Sequence, residues 1–237
     1  MTTSAIDPSP WNDRASRYGD NYQQAPIRSA FEGFIVADAL ANRVPNSHCL
    51  DVGCGQGHLL KALDRHRCHS KLTGVDSSEG MLIHAFNRLD CLNSTDATQI
   101  KLTLIHASAT SLPVEDGCVD TVVSSTVLHH LTDTDKLMAL SEMHRVLAPG
   151  GRLLIVDQVN ATGFHRNSRE FNARMTQFFF PFADDENRDE LIDYFTNDFI
   201  EHTVAPNEFA SMMSQIGFHN VGATMLCEVV GIFRAIK

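Results

Sequence analysis

Leu50-Asp51-Val52-Gly53-Cys54-Gly55-Gln56-Gly57 decides how this 237-residue chain is read. An apolar stretch ends in an acid and a GxGxG run, and a helix-like stretch follows. Glycine belongs here because the backbone must turn tightly and let a ligand come close, where a Cβ would obstruct. The helix N-terminus beyond it offers unpaired N–H groups and a partial positive charge. A dinucleotide fingerprint requires GxGxxG, and position 58 is His58 instead of the third glycine. The spacing therefore speaks against a pyrophosphate-linked cofactor.

Outward from this stretch the chain alternates. Strands are expected at His48–Val52, Leu72–Val75, Ile100–Ile105, Val119–Ser124 and Arg152–Val156. Between them, helices are expected at Gly57–Arg67, Ser78–Leu89 and Asp135–Leu147, with Pro149-Gly150-Gly151 as a turn. Strands separated by helices of this length imply right-handed crossovers and a parallel sheet. In such sheets ligands lie at the carboxyl ends of the strands, where the strand order reverses. A helix near Asn207–Ile216 and two β-like runs, Val221–Cys227 and Val229–Ala235, close the chain. The near-contiguity of those runs predicts an antiparallel pair at the C-terminal edge. The fold class is thus α/β: a Rossmann-like, doubly wound, mostly parallel seven-stranded sheet with an antiparallel C-terminal edge strand. Residues 1–45 read as an N-terminal helical cover, with a helix over about Pro26–Val44 whose apolar face holds Ile27, Phe31, Phe34, Ile35 and Leu40. Residues 46–237 form the ligand-binding domain, and residues 160–205 a helical insertion after the fifth strand.

The second signal is Gly74-Val75-Asp76-Ser77-Ser78, whose acid lies nineteen residues beyond Gly57. An acid at the tip of the second strand can accept hydrogen bonds from both hydroxyls of a ribose. Asp51 stands where it can meet a cationic amino group. A site that serves a ribose and an amino-acid ammonium together has what S-adenosylmethionine requires.

The chain resembles the class I S-adenosylmethionine-dependent methyltransferases, in the branch that contains ubiquinone and menaquinone biosynthesis and related small-molecule enzymes. LDVGCGQG is similar to that family's first motif and GVDSS to its second. Ala107-Ser108-Ala109-Thr110-Ser111-Leu112-Pro113 resembles the segment that brackets adenine, Asp120–Leu131 the fourth strand and its turn, and Arg145–Gly151 the approach to the fifth strand. The resemblance runs from about residue 48 to 157, with a looser match at Pro206–Phe218. It implies S-adenosylmethionine as cofactor, bound by Asp51, Gly53, Gly55, Gly57, Asp76, Ser77, Ser108, Ala109 and Thr126. Ser108 stands where the family commonly has an acid, and a neutral hydroxyl accepts a hydrogen bond more weakly than a carboxylate. Tyr18, within Ala15-Ser16-Arg17-Tyr18, resembles the N-terminal aromatic that covers the cofactor.

His129 and His130 follow the fourth strand, where the reacting methyl is to be presented. Imidazole titrates near ~6.5 and can take a hydroxyl proton as the acceptor attacks. The alternative is one packed core ring and one solvated ring, and the sequence does not choose between them. Phe171, Met175, Phe178 and Phe179 recur at helical spacing in the insertion. They form either a packing face or part of an apolar acceptor pocket.

A formal charge of −10 argues against non-specific nucleic-acid binding. No apolar run approaches the roughly 18 residues of a membrane span, and no secretory leader precedes the first helix. The six cysteines contain no CxxC pair, so neither a zinc site nor a disulfide framework is expected. His66-Arg67-Cys68-His69 reads as a polar helix end. The expectation is a cytoplasmic monomer or homodimer acting on a small molecule, aromatic or apolar, at oxygen or carbon more readily than nitrogen. Two rivals remain: a module that binds the cofactor without transferring its methyl, and a protein methyltransferase. A nicotinamide oxidoreductase is disfavoured by His58.

Overall fold

A computed structural model describes residues 26–89, 101–197 and 201–237. Helix α1 (Pro26–Ala41) precedes strand β1 (His48–Val52), α2 (His58–Arg65), β2 (Lys71–Asp76), α3 (Glu79–Leu89) and β3 (Lys101–His106). Strand β4 (Val119–Ser125), α4 (Asp133–Val146) and β5 (Leu147–Gln158) complete the parallel part. The insertion carries α5 (Arg169–Phe179) and α6 (Asp185–Asn197), and the chain ends in α7 (Pro206–Ile216), β6 (His219–Cys227) and β7 (Val230–Ile236).

The seven strands lie in the order β3-β2-β1-β4-β5-β7-β6. Strand order reverses between β1 and β4, which sets a crevice above their carboxyl ends. Every residue of β1 is buried, whereas β3, at the edge, is half-buried in its middle and exposed at both ends. That gradient explains why β1 reads as a continuous apolar run around one acid and β3 alternates Thr and Leu. The last two strands pair antiparallel with each other, and β7 is also antiparallel to β5. The reversed strand β7 therefore sits one place in from the edge, and β6 forms the rim.

Helix boundaries follow side-chain chemistry. Ser78 Oγ accepts the Met81 N–H at 3.2 Å and starts α3. Helix α4 starts at Asp133, two residues earlier than expected, because Thr132 Oγ1 accepts the Asp135 N–H and serves as the cap. Pro149-Gly150-Gly151, expected as a turn, lies within β5, where Gly150 N–H reaches Lys237 O and Lys237 N–H reaches Gly151 O.

Two apolar layers enclose the sheet. On one side α1, α2 and α3 pack through Phe31, Ile35, Leu60, Leu63 and Ala85. On the other, α4 and α7 pack through Leu140, Met143, Phe209 and Met213. Burial of Phe31 and Ile35 docks α1, each contributing about 1.5–3 kcal/mol. Phe34 and Leu40, expected on the same face, are exposed. The insertion stripe is also settled: Phe171, Met175 and Phe179 are buried in the α1 layer, with Phe179 edge-on to Phe31 at 6.2 Å. The stripe is a packing face, and none of its four residues borders the cleft described next.

Candidate functional site

A cleft, partly open to solvent, lies over the carboxyl ends of β1, β2 and β4. The GxGxG turn forms its floor. Gly53 has φ +76°, and a Cβ there would lie 2.3 Å from Val127 Cγ2. Gly53 N–H donates to Val75 O at 2.8 Å, tying the turn to β2. Gly55 has φ +51°, and a Cβ there would meet nothing within 4 Å. Gly53 therefore fits the turn against the protein, while Gly55 keeps cleft space clear. Gly57, expected in the site, does not border the cleft. It caps α2 at the N-terminus and packs against Leu89 and Ala85.

Asp76 lines the cleft and braces the floor. Its Oδ2 accepts the Gly55 N–H and its Oδ1 the Ser78 N–H, both at 2.8 Å. Burial raises its pKa, and these backbone donors oppose the rise. Each oxygen retains a lone pair for a ligand hydroxyl. Ser77 borders the cleft beside it, and its carbonyl faces His106 Nε2 at 2.9 Å.

Asp51 is buried at the tip of β1, and its Oδ2 has no hydrogen-bond partner among the described residues. Burial, then the neighbouring Asp76 and Glu32, push its pKa up to about 8. Ser125 Oγ, of another residue lining the cleft, is likewise buried without a partner among the described residues. Buried polar atoms are nearly always paired. Two such oxygens on residues that line one cleft fit a ligand that brings donors, and an ammonium suits the acid. With the space above Gly55, these residues fit an amino-acid-bearing nucleoside.

Ala107 and Ala109 line the far side. Ser108, expected there, does not: its Oγ lies 2.8 Å from Thr110 Oγ1 and accepts the Thr110 N–H at 3.2 Å, so it closes its own turn. Thr126 borders the cleft with φ +56°, a conformation β-branched residues rarely adopt. Its N–H donates to Val156 O at 2.8 Å, which secures that geometry. Tyr18 lies outside the described residues.

Beyond β4, Leu128–His130 form a single 3₁₀ turn that separates the two histidines. His130 borders the cleft, while His129 is buried behind it. His129 Nδ1 lies 2.5 Å from Asp157 Oδ1, and Asp157 Oδ2 accepts the Leu128 N–H at 2.6 Å. His130 Nδ1 lies 2.9 Å from Glu201 Oε2, and the same oxygen is 3.7 Å from His129 Nε2. Burial alone would lower the pKa of His129, but Glu201 and Asp157 outweigh it and raise it. Burial lowers the pKa of His130, and the neighbouring His129 adds to that against the pull of Glu201. Asp157 and Glu201 stay ionised, because the adjacent rings outweigh their burial. His129, His130 and Glu201 also place one donor atom each within 4.8 Å of one another, as a metal ligand set would.

Sequence reasoning placed no role on Asp157 or Glu201. Asp157 was findable as an acid near the carboxyl end of a parallel strand. Glu201 carried no signal, since only tertiary structure brings it to His130. Gln56, Met81, Val127 and Leu131 also line the cleft.

Comparisons with known proteins agree with this geometry. A family model described as a methyltransferase domain matches residues 50–155. Demethylmenaquinone methyltransferase of Staphylococcus haemolyticus (strain JCSC1435) is 34% identical over 117 residues, 49% of this chain and 45% of that protein. Sterol 4-C-methyltransferase strm-1 of Caenorhabditis elegans is 28% identical over 163 residues, 65% of this chain and 46% of that protein. The chain thus spans less than half the length of either relative. Its fold is shared with Haemonchus contortus phosphoethanolamine N-methyltransferase 2 in complex with S-adenosyl-L-methionine, at a TM-score of 0.64 and 17% identity. That likeness covers 86% of this chain and 51% of the other.

Proposed function

We propose that residues 50–155, which match a methyltransferase domain model, form a class I S-adenosylmethionine-dependent methyltransferase domain, and that the protein methylates a small, largely apolar acceptor, at oxygen or carbon in preference to nitrogen. The observation that carries this reading is a histidine, His130, on the wall of the same cleft that Asp51, Gly55 and Asp76 floor. S-adenosylmethionine, when bound, supplies a methyl already activated by its sulfonium.

The chain's own residues have three tasks. Asp51 and Asp76 would hold the ammonium and ribose, with Gly53 and Gly57 keeping the turn in shape. Ser77, Ala109 and Thr126 would border the nucleoside, Ser108 would support Ala109 through its turn, and Tyr18 would cover it. Holding the acceptor in line can contribute on the order of 7–11 kcal/mol in favourable models. His130 would take the acceptor's proton, and His129, buried against Asp157, would orient it from behind. Residues 1–45 would cover the cofactor, and residues 160–205 would bound the acceptor pocket.

Relatives acting on a sterol and on demethylmenaquinone, by their names, favour an apolar acceptor with a hydroxyl or activated carbon. Calorimetry with S-adenosylmethionine, its demethylated product and NAD tests the first part, with binding expected for the first two alone. Turnover of a radiolabelled methyl donor against phenols, quinols, sterols and amines tests the second. Tight cofactor binding with no transfer to any of these would favour a binding module.

A further inference from the structure

We infer that Glu201 is the positioning carboxylate of His130, holding it as the neutral Nδ1–H tautomer, and that this pair selects an uncharged acceptor with an ionisable hydroxyl, a phenol or an enol. The inference deepens the methyl-transfer reading and rests on it.

Glu201 is fixed in place independently of its carboxylate. His202 N–H donates to His129 O at 2.7 Å. The Lys136 ammonium, itself fully buried, donates to Leu131 O at 2.6 Å and also to His202 O. Asn160 N–H reaches Val204 O at 2.9 Å. The 3₁₀ turn and the residue that follows it are thereby latched to the segment that carries Glu201. Glu201 itself is 5% exposed, so its charge must be met by protein groups.

Those groups set the direction of proton flow. Facing a carboxylate at 2.9 Å, Nδ1 of a neutral His130 must carry the hydrogen, which makes Nε2 the basic atom. Around this ring stand His129 from the same turn, Asp157 from β5 and Glu201, with Lys136 of α4 behind His129. Two carboxylates, Asp157 and Glu201, thus stand against two adjacent imidazoles, and a proton arriving at His130 meets the Glu201 carboxylate already bonded to its ring. In the step proposed, the acceptor's O–H bond breaks, its proton passes to His130 Nε2, and the oxygen, or for an enol the carbon conjugated to it, supplies the electron pair of the new bond to the methyl carbon. The C–S pair departs with the sulfur. An anionic group brought to His130 would approach the Glu201 carboxylate, 2.9 Å behind its ring.

The test uses the full chain, Glu201→Gln and Glu201→Asp, with thermal melts and binding of the demethylated product as controls. Histidine ring NMR should show His130 as the Nδ1–H tautomer, and its titration should move to lower pH in Glu201→Gln. With 1,4-naphthoquinol and simple phenols as acceptors, Glu201→Gln should lower kcat 10- to 100-fold. Product affinity should stay within about twofold, and Glu201→Asp should recover part of the rate. An Nε2–H tautomer, an unmoved titration, or equal pH–rate profiles in Glu201→Gln would overturn the assignment. So would activity lost to a chelator and restored by zinc or manganese, since the set would then be ligands. Transfer to amines or phosphate esters alone would overturn the acceptor class while leaving methyl transfer standing. Failure to bind the product at all would strike the methyl-transfer reading itself.

Discussion

The Asp76 carboxylate accepts the Gly55 N–H at 2.8 Å, so the acid at the tip of β2 fixes the turn at the tip of β1. The two cleft motifs are one mechanical unit, and a substitution in either can be assigned to ligand space or to the turn. Gly55→Ala places its methyl in the open cleft, at a strain of about 1–2 kcal/mol for a left-handed residue. Gly53→Ala pays the same strain and also drives a methyl into Val127. Gly55→Ala is expected to lower cofactor affinity at least tenfold with a small change in Tm. Gly53→Ala should lower Tm by considerably more. Calorimetry and melts on the two variants distinguish them.

Asp51 couples cofactor binding to pH. Its folded pKa of about 8 lies above the ordinary carboxylate value, so the folded state holds the proton more tightly than the unfolded one. Its contribution to stability is present at low pH and is lost as pH rises from about 4 to about 8. Asp51→Asn, which cannot ionise, should melt at a higher temperature than the parent at pH 8 and near the parent's at pH 4. A cationic amino group favours the ionised acid. Binding of the demethylated product should therefore release up to one proton at pH 6–7, seen as a dependence of binding heat on the buffer's ionisation enthalpy. Asp51→Asn should abolish the release and weaken binding.

The contrast between motif and insertion shows what the sequence could display. Asp51, Gly53, Gly55 and Asp76 act through backbone turns and strand tips, which local residue order specifies, and their positions on the sheet were readable. Ser108 was expected in the cleft because it stands where the similar family commonly has an acid, and Gly57 because it belongs to the GxGxG run. One instead bonds within its own turn, and the other packs under α3. His129 and His130 are adjacent in sequence yet face opposite environments, because a 3₁₀ turn is too short for periodicity to reveal. Glu201 meets His130 across seventy-one residues, a distance no local pattern spans. The Phe171–Phe179 stripe had helical spacing, which specifies a buried face but not which surface buries it.

The His129–Asp157 pair is expected to be the most stabilising polar contact near the site. His129, raised, contributes below about pH 6.5 and loses its contribution as pH rises through its folded pKa. Asp157, lowered, contributes above about pH 4 and loses it as pH falls through its folded pKa. Their joint contribution is therefore largest between about pH 4 and 6.5. Asp157→Asn removes one partner of a buried pair, a change that typically costs about 3–5 kcal/mol. Melts across pH 4–9 should show the largest deficit of the variant within that window.

Lys136 provides a test of the latch that leaves the cleft untouched. Its ammonium satisfies Leu131 O and His202 O, and it lies 3.4 Å from Asp133 Oδ1. Burial is the main reason its pKa is lowered. Lys136→Met keeps most of the volume, and Asp133 keeps its partner Arg166 at 3.1 Å, so no carboxylate is stranded. Two buried carbonyls lose their donor, at about 1–3 kcal/mol each where no water replaces it. Between the turn bearing His130 and the segment bearing Glu201, the bond from His202 N–H to His129 O and the His130–Glu201 side-chain contact would then remain without the lysine bridge. Turnover should fall several-fold because the base is less well held, while affinity for the demethylated product, bound at the other strand tips, should remain that of the parent. A parallel loss of both would mean that Lys136 supports the whole crevice and not the histidine turn.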